Sequence, residues 1–474
     1  MTRDEVRAAA ERLVQWHQRF AGLFGRKEAR THSLTYLYGL LSDQTRKSVE
    51  PIALRFARSR SGGPATQNEV VAMQEFVTAS PWEAGDVFRE IQTVFTEELA
   101  APPTADEVGT VGVIDESGFV KAGSESVGVA PQYCGRWGQT MNCQVGVFLV
   151  GVAPRGVALL DAQLYLLQEW VDDRRRREKT HVPSNLCFQT KPQIAIELLR
   201  RTLDAGQVHF DWITADEVYG VSGELLDFLE ARKQRYLLTV KKNVVVWTVN
   251  PATIYGTWPG PKQRGRPGSA QHAAARSVEE VAASLPAETW RPLKLREGSK
   301  GPLVCEFAVE RVWAMRHGHS GPPIWLLIRR SLEKKPEYWY YVSNASEETP
   351  WETLAMVSGS RFRIEEFFED GKMHLGMADY EVRSWTSWHH HMCLVALAHL
   401  YVTLTKRDLK RGEAELTIDM AIRLLRSAFG QPRLDPEEAI RLVEYHLSRN
   451  RVAYQSHRKS WLSKHKKLEK KLLL

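Results

Sequence analysis

The sequence predicts an α/β chain built on a mixed sheet, with helical segments before and after it. Two observations carry this reading. Residues 108–242 alternate short β-branched runs with helix-period segments, in the order three strands, helix, strand, helix, strand. Residues 1–100, and the chain from Thr349 onward, carry mainly helix-period apolar patterns. At 474 residues the chain exceeds one ordinary core, so several structural units are expected.

The first unit, residues 1–100, is predicted helical from stretches such as SLTYLYGLLSDQTRKSVEPIALRFA and EVVAMQEFVTA. Basic residues such as Arg46, Lys47 and Arg55 accompany its apolar stripes. They fit either a DNA-binding helix-turn-helix or a helical cap on the sheet. The paired prolines of APPTADE then break the pattern as a linker. VGTVGVID is the first strand, and NCQVGVFLVGVA and GVALLDAQLYL follow, joined by the turn PRG. KPQIAIELLRRTLDAG is a helix closed by Gly206. HFDWITADEVYG is a fourth strand, GELLDFLEARK a helix and RYLLTVKK a fifth strand. Three antiparallel strands followed by parallel strands on helical crossovers is the order of a ribonuclease-H-like sheet. Residues 243–336 interrupt it with a Gly/Pro-rich basic loop and the strand-like runs LVCEFAVERVWAM and PIWLLIRRS, read as a β-rich insertion. YWYYVSN resumes the core, whose second part is placed at 337–405, and 406–474 form a helical C-terminal region with a basic tail.

Composition is that of a soluble globular protein. No apolar run approaches the roughly 20 residues that span a bilayer. The start, MTRDEVRAAAERLVQWHQRF, reads as an amphipathic helix without a signal peptide's apolar centre, so a cytoplasmic location is expected. The five cysteines form no CxxC pair and are expected as buried small hydrophobes. The net charge is +7 and its basic residues cluster: nine Lys or Arg against one acid from Arg449 to Leu474, a run at Arg174–Arg177, and Lys262, Arg264 and Arg266. Such patches attract a polyanion, and equally describe a solvated surface.

The acids are more specific. Asp115 ends the first predicted strand and Asp216 the fourth. If those strands are neighbours, two carboxylates meet at one edge, where repulsion is costly without a cation. In RFRIEEFFEDGK, helix geometry places Glu365 about 40° and Lys372 about 20° around from Arg361, so the three share one face, and Glu366 lies about 100° from Glu365. The competing reading of that helix is an i,i+4 salt bridge facing solvent. Taken together, Asp115, Asp216 and Glu365 match phosphodiester chemistry, in which two divalent cations held by oxygen ligands assist in-line displacement. Arg361 and Lys372 are then candidates for DNA phosphate contacts. Arg383 is a third candidate, because its helical region follows Lys372. His389, His390 and His391 point in different directions on a helix and are expected to pack or to contact phosphate rather than chelate a metal.

The pattern R-x3-E-x6-K formed by Arg361, Glu365 and Lys372 resembles the signature of cut-and-paste DDE insertion-sequence transposases. Four stretches resemble the insertion sequence 701 family in particular: LFGRKEARTHSLTYLYGLLS, IDESGFVKAGSESVGVAPQYCGRWGQTMNCQVGVFL, ITADEVYG and IEEFFEDGKMHLGMADYEVRSWTSWHHHM. The resemblance spans roughly residues 20 to 405. Two positions depart from the family pattern. Ser358 stands where a Tyr usually precedes the Arg, and Glu116 follows Asp115 where the motif often has a second Asp. The resemblance implies a ribonuclease-H-like core with Asp115, Asp216 and Glu365 as catalytic metal ligands. It implies Mg²⁺ as two ions per site, with Mn²⁺ able to substitute. The implied substrates are double-stranded DNA, as transposon terminal inverted repeats and target, with a dimer in the DNA complex and a nucleoid-associated location. Hairpin-forming relatives carry an insertion tryptophan before the same Arg that holds a flipped base. Trp339, 22 residues before Arg361, is the matching candidate, against the simpler reading of a packed strand aromatic. Alternative functions are an immobilised or host-adapted DDE nuclease, and a non-catalytic DNA-binding regulator that leaves the acids unexplained.

Overall fold

Buried β-branched runs build the sheet at the centre of the molecule. The computed structural model describes residues 2–59, 62–101, 108–251, 275–298, 301–316, 319–409, 416–429 and 436–464. Five helices come first: α1 (Arg3–Ala21), α2 (Lys27–Leu41), α3 (Val49–Phe56), α4 (Gln67–Thr78) and α5 (Ala84–Val94). Capping boxes start α1 at Thr2 and α4 at Thr66, where a threonine oxygen satisfies an otherwise unpaired N–H.

The first strands are β1 (Val111–Val120), β2 (Ala130–Cys134), β3 (Gln139–Ala153) and β4 (Gly156–Tyr165). β3 pairs antiparallel with β1, β2 and β4. Short helices α6 (Gln168–Asp172) and α7 (Arg174–Lys179) lead to α8 (Lys191–Ala205). Thr190 and Gln193 form the capping box of α8, and Gly206, in the left-handed region at φ 76°, ends it. β5 (Trp212–Ala215), α9 (Glu217–Gly220), α10 (Gly223–Ala231) and β6 (Tyr236–Val240) follow. β5 lies parallel to both β1 and β6. β2 and β4 thus both pair with β3, which is followed across the sheet by β1, β5 and β6; β2 is a strand that the sequence pattern did not show.

Beyond β6 come β7 (Val245–Trp247), β8 (Ala275–Ser277), α11 (Val278–Ser284), β9 (Arg291–Gly298), β10 (Gly301–Arg316), β11 (His319–Arg330) and β12 (Tyr338–Ser343). This strand-rich stretch continues the same sheet: β12 pairs with β6, β11 with β12, and β10 with β11. The basic cluster of Lys262, Arg264 and Arg266 lies outside the described residues.

The last helices are α12 (Trp351–Ser360), α13 (Phe362–His374), α14 (Trp385–Asp408), α15 (Ile418–Ala428) and α16 (Pro436–Lys464). α14 is apolar on nearly every side and buried from Ser387 to Thr405, as an all-round hydrophobic helix must be. It packs on β4 and is wrapped by α2, α4 and α5. The three adjacent histidines are part of that packing. His389 contacts the Trp385 carbonyl and the Leu164 N–H. His390 stacks on Trp82, between the carbonyls of Val77 and Trp82. His391 meets the Tyr36 hydroxyl and the Gly376 carbonyl. Four of the five free cysteines are buried as expected, and Cys187 is exposed. Among the described residues, no helix is long and apolar enough to cross a membrane.

Candidate active site

β1 enters the core through Val111, Val113 and Ile114. Its parallel ladder with β5 ends at the pair Ile114–Ala215. The next residue on each strand is an acid, Asp115 and Asp216. Here the structure amends the sequence reading. β1 does not end at Asp115 but runs on to Val120 against β3, with Asp115 opposite Phe148. It is β5 that stops, because the Asp216 carboxylate turns to accept the Val218 N–H at 2.9 Å and caps α9. Gly220, at the end of that turn, passes so close to the Thr239 carbonyl that no Cβ fits.

A third acid completes a cluster. Asp115, Glu116 and Asp216 each bring a carboxylate oxygen within 4.8 Å of the others. Glu116 is clamped: Lys191, at the start of α8, donates to it at 2.6 Å, and the Tyr219 hydroxyl of α9 donates at 2.8 Å. Crowding shows in the proton affinities. Burial first, then the Asp216 charge, pushes the Asp115 carboxyl up to about 8 against the opposing pull of Arg361. Burial and then Glu116 push Asp216 up to about 6. Burial and neighbouring carboxylates thus hold Asp115 and Asp216 toward their protonated forms even beside Arg361, a cost that a bound cation would relieve, and the cluster offers only oxygen atoms. Both features fit a hard divalent metal.

Glu365 approaches from α13. Arg361, at the joint between α12 and α13, donates to Asp115 at 3.2 Å and to Glu365 in the same guanidinium fork. Glu365 thus stands outside the 4.8 Å cluster and is joined to it through Arg361. Its side chain is 45 % exposed, against 14 % for Asp115. Glu366 turns away to Arg363 at 2.7 Å and Arg296 at 3.3 Å. Lys372, two turns further on, donates to Ser117 at 2.7 Å and to the Gly118 carbonyl at 3.1 Å, so one face of α13 lies along β1. Lys47 and Arg426 both donate to the His374 carbonyl at the end of α13. Two N–H donors on one terminal carbonyl satisfy an acceptor that the helix leaves open and fix the helix end.

A cavity of about 800 Å³ opens beside these groups, lined by Asp216, Glu365, Arg361, Trp339, Tyr341 and Arg329. Trp339 is partly exposed there. Ser358, at the position of the family's Tyr, is buried and donates to the Ala355 carbonyl at 2.6 Å. Arg383 is exposed but lies elsewhere, in a groove with Arg46, Lys121 and Glu381. Of the basic residues considered for a helix-turn-helix, Lys47 is buried, Arg46 pairs with Glu381 and Arg55 with Asp43. Sequence reasoning passed over Glu116, Lys191, Tyr219 and Arg329. Tyr219 had a usable signal, one helical turn after Asp216. Lys191 and Arg329 had none, since only tertiary pairing brings them to the cavity.

Two comparisons bear on this arrangement. Residues 19–302, more than half of the chain and including Asp115 and Asp216, match the profile of the DDE superfamily endonucleases. The chain is also 24 % identical over 351 residues, 73 % of its own length and 76 % of the relative's, to a probable transposase for insertion sequence element IS701 from Microchaete diplosiphon. With two aspartates side by side at the end of the β1–β5 ladder and a helix-borne glutamate joined to Asp115 through Arg361, the chain belongs to the DDE superfamily of endonucleases.

Proposed function

We infer that this endonuclease is an insertion-sequence DNA transposase whose catalytic acids are Asp115, Asp216 and Glu365. The observation that carries the assignment is the Arg361 fork, which binds Asp115 and Glu365 together at the end of the β1–β5 ladder. DDE endonucleases use divalent metals, and the oxygen-only cluster suits two Mg²⁺ ions, with Mn²⁺ able to substitute. When bound, such ions neutralise phosphate charge and lower the cost of deprotonating the attacking water or 3′-hydroxyl. Asp115 and Asp216 supply the rigid side of that site, because each is anchored to backbone N–H groups. Glu365 supplies the side open to DNA.

The strand order β4–β3–β1–β5–β6, antiparallel then parallel, supports a ribonuclease-H-like core formed by residues 108–242 and 337–405. On this reading 243–336 is an insertion that widens the sheet, 1–100 a helical unit packed on α14, and 406–474 a helical region ending in the basic tail. Trp339 offers an aromatic face to a nucleotide drawn into the cavity, which its partial exposure supports. Arg361 and Lys372 hold acid and strand in place, and Arg383 contributes to a separate DNA-facing groove. Joining two transposon ends requires two active sites, so the working form is a dimer on paired ends, acting on nucleoid DNA in the cytoplasm.

The test is to incubate the purified chain and a Glu365→Gln variant with a duplex carrying the DNA that flanks the gene, with Mg²⁺ or Mn²⁺, and to sequence the products. Metal-dependent breaks at the element boundary, absent from the variant, are expected. Wild-type protein that binds the duplex but never breaks it would overturn the assignment.

A further inference from the structure

Four arginines line the cavity beside the acidic cluster: Arg296, Arg329, Arg361 and Arg363. Three have carboxylate partners. Arg361 is shared by Asp115 and Glu365, and Arg296 and Arg363 both hold Glu366. Arg329 has no carboxylate partner among the described residues, and its Nε is buried with no acceptor. Its chain neighbour Arg330 has Glu306 at 2.7 Å. A buried guanidinium N–H without an acceptor is unfavourable, so this arrangement is stable only if an anion arrives or another interaction compensates.

The compensating interaction is visible. Arg329 on β11 is directly opposite Trp339 on β12, and opposed residues share a sheet face. The guanidinium carbon lies 4.1 Å from the centroid of the indole ring. Stacking fixes the plane of the fork while leaving its edge donors unused, the geometry that suits a phosphate. One face of Trp339 is thereby covered by Arg329, and the ring remains partly exposed in the cavity.

We propose that Arg329 binds a backbone phosphodiester of the DNA strand entering the cavity, next to the nucleotide that lies against Trp339. This rests on reading the cavity as the DNA-cleaving site. Because Arg361 and Lys372 are already occupied by the protein's own groups, Arg329 is, among the described residues lining the cavity, the arginine with charge to spare for the substrate.

The test uses full-length protein and duplexes carrying the gene-flanking DNA, each with one neutral methylphosphonate linkage near the cleaved bond, in Ca²⁺ to measure binding. Wild type is expected to bind about tenfold more weakly when one particular linkage is neutral, the size of a charge-assisted hydrogen bond. Arg329→Gln is expected to bind unmodified DNA about tenfold more weakly and to be indifferent to that same linkage. Arg329→Lys, which keeps the charge without the fork, is expected to fall between them, and it decides the matter if the Gln variant does not fold. A methylphosphonate profile unchanged in both variants, or weakening spread evenly over all linkages, would overturn the role. Cleavage by Glu365→Gln is read in parallel. If that variant cuts normally, the catalytic assignment fails; if it is inactive while the Arg329 profiles are unchanged, only the phosphate interaction fails.

Discussion

Arg361 donates to Asp115 across 3.2 Å although 246 positions separate them in the chain. The same guanidinium holds Glu365, one helical turn along α13. A strand acid and a helix acid are therefore held in one frame by a single planar fork, and Lys372 repeats the α13–β1 attachment further along. A lysine at 361 would supply charge but could not hold both carboxylates in a fixed plane.

Asp115→Ala, Asp216→Ala and Glu365→Ala should each lower cleavage on the order of 10³-fold or more, since a metal site contributes several kcal/mol to the transition state. DNA affinity should change little, because it comes mainly from basic groups on phosphate. Glu366→Ala is the control: that side chain faces Arg296 and Arg363 and should leave cleavage near wild type. Nicking and gel-shift assays on the four variants check this, and an inactive Glu366→Ala beside an active Glu365→Ala would reassign the helix acid.

Tyr219→Phe removes one of the two donors that clamp Glu116. A hydrogen bond to a charged group contributes roughly 1.5–3 kcal/mol, so the thermal midpoint should drop measurably. With the clamp loosened, cleavage should need more metal for half-maximal rate. Identical Mg²⁺ titrations for the variant and wild type would show that Tyr219 only packs.

Trp339→Ala should preserve first-strand nicking and impair the later step that needs a base held outside the duplex. Base–aromatic stacking contributes about 1–3 kcal/mol, so a loss of about tenfold or more is expected on pre-nicked ends. Equal rates on intact and pre-nicked ends for the variant and wild type would leave Trp339 as a sheet aromatic.

Residues 449–460 are exposed in the second half of α16, and the sequence beyond them stays basic. Truncation before Arg449 should weaken DNA binding and flatten its salt dependence, by about 0.9 in log–log slope for every phosphate the tail neutralises. Binding isotherms at several salt concentrations measure this; parallel slopes would make the tail a solubilising extension.

The buried histidines should lose their stabilisation as pH is lowered from about 6.5, while the raised carboxyls of Asp115 and Asp216 act in the opposite direction over the same window. Burial depresses His389 and His391 to about 3 in the fold, so over that window the unfolded chain takes up protons that the native chain refuses. The stabilisation is present in full above the unfolded value and declines on the acid side, by roughly 2 kcal/mol per ring at pH 5. Thermal melts of wild type and His391→Asn between pH 7 and 5 isolate one ring: the variant should be less stable at pH 7, and the gap between the two should narrow toward pH 5. A gap that stays constant over that range would contradict this.

Much of the fold was legible because it is local. Strand and helix periods gave β1, β3, β4, α8, β5, α10 and β6 in order but not β2 or the short helices α6, α7 and α9, Gly206 marked a helix end, and the 3.6-residue period put Arg361, Glu365 and Lys372 on one face. What no period encodes is pairing between distant segments. That the strands after β6 extend the main sheet through β12 and β6 is a matter of edge hydrogen bonding, which any exposed strand can offer. That Asp115 sits within its strand rather than at its end follows from β3 being longer than β5, a property of the partners. The histidine triplet and Lys47 carry the same lesson. Polar residues look available in a sequence, and only packing decides which ones use their hydrogen bonds inside the protein. Glu116 and Arg329 came forward for that reason, one clamped by Lys191 and Tyr219, the other left beside Trp339 with its donors open.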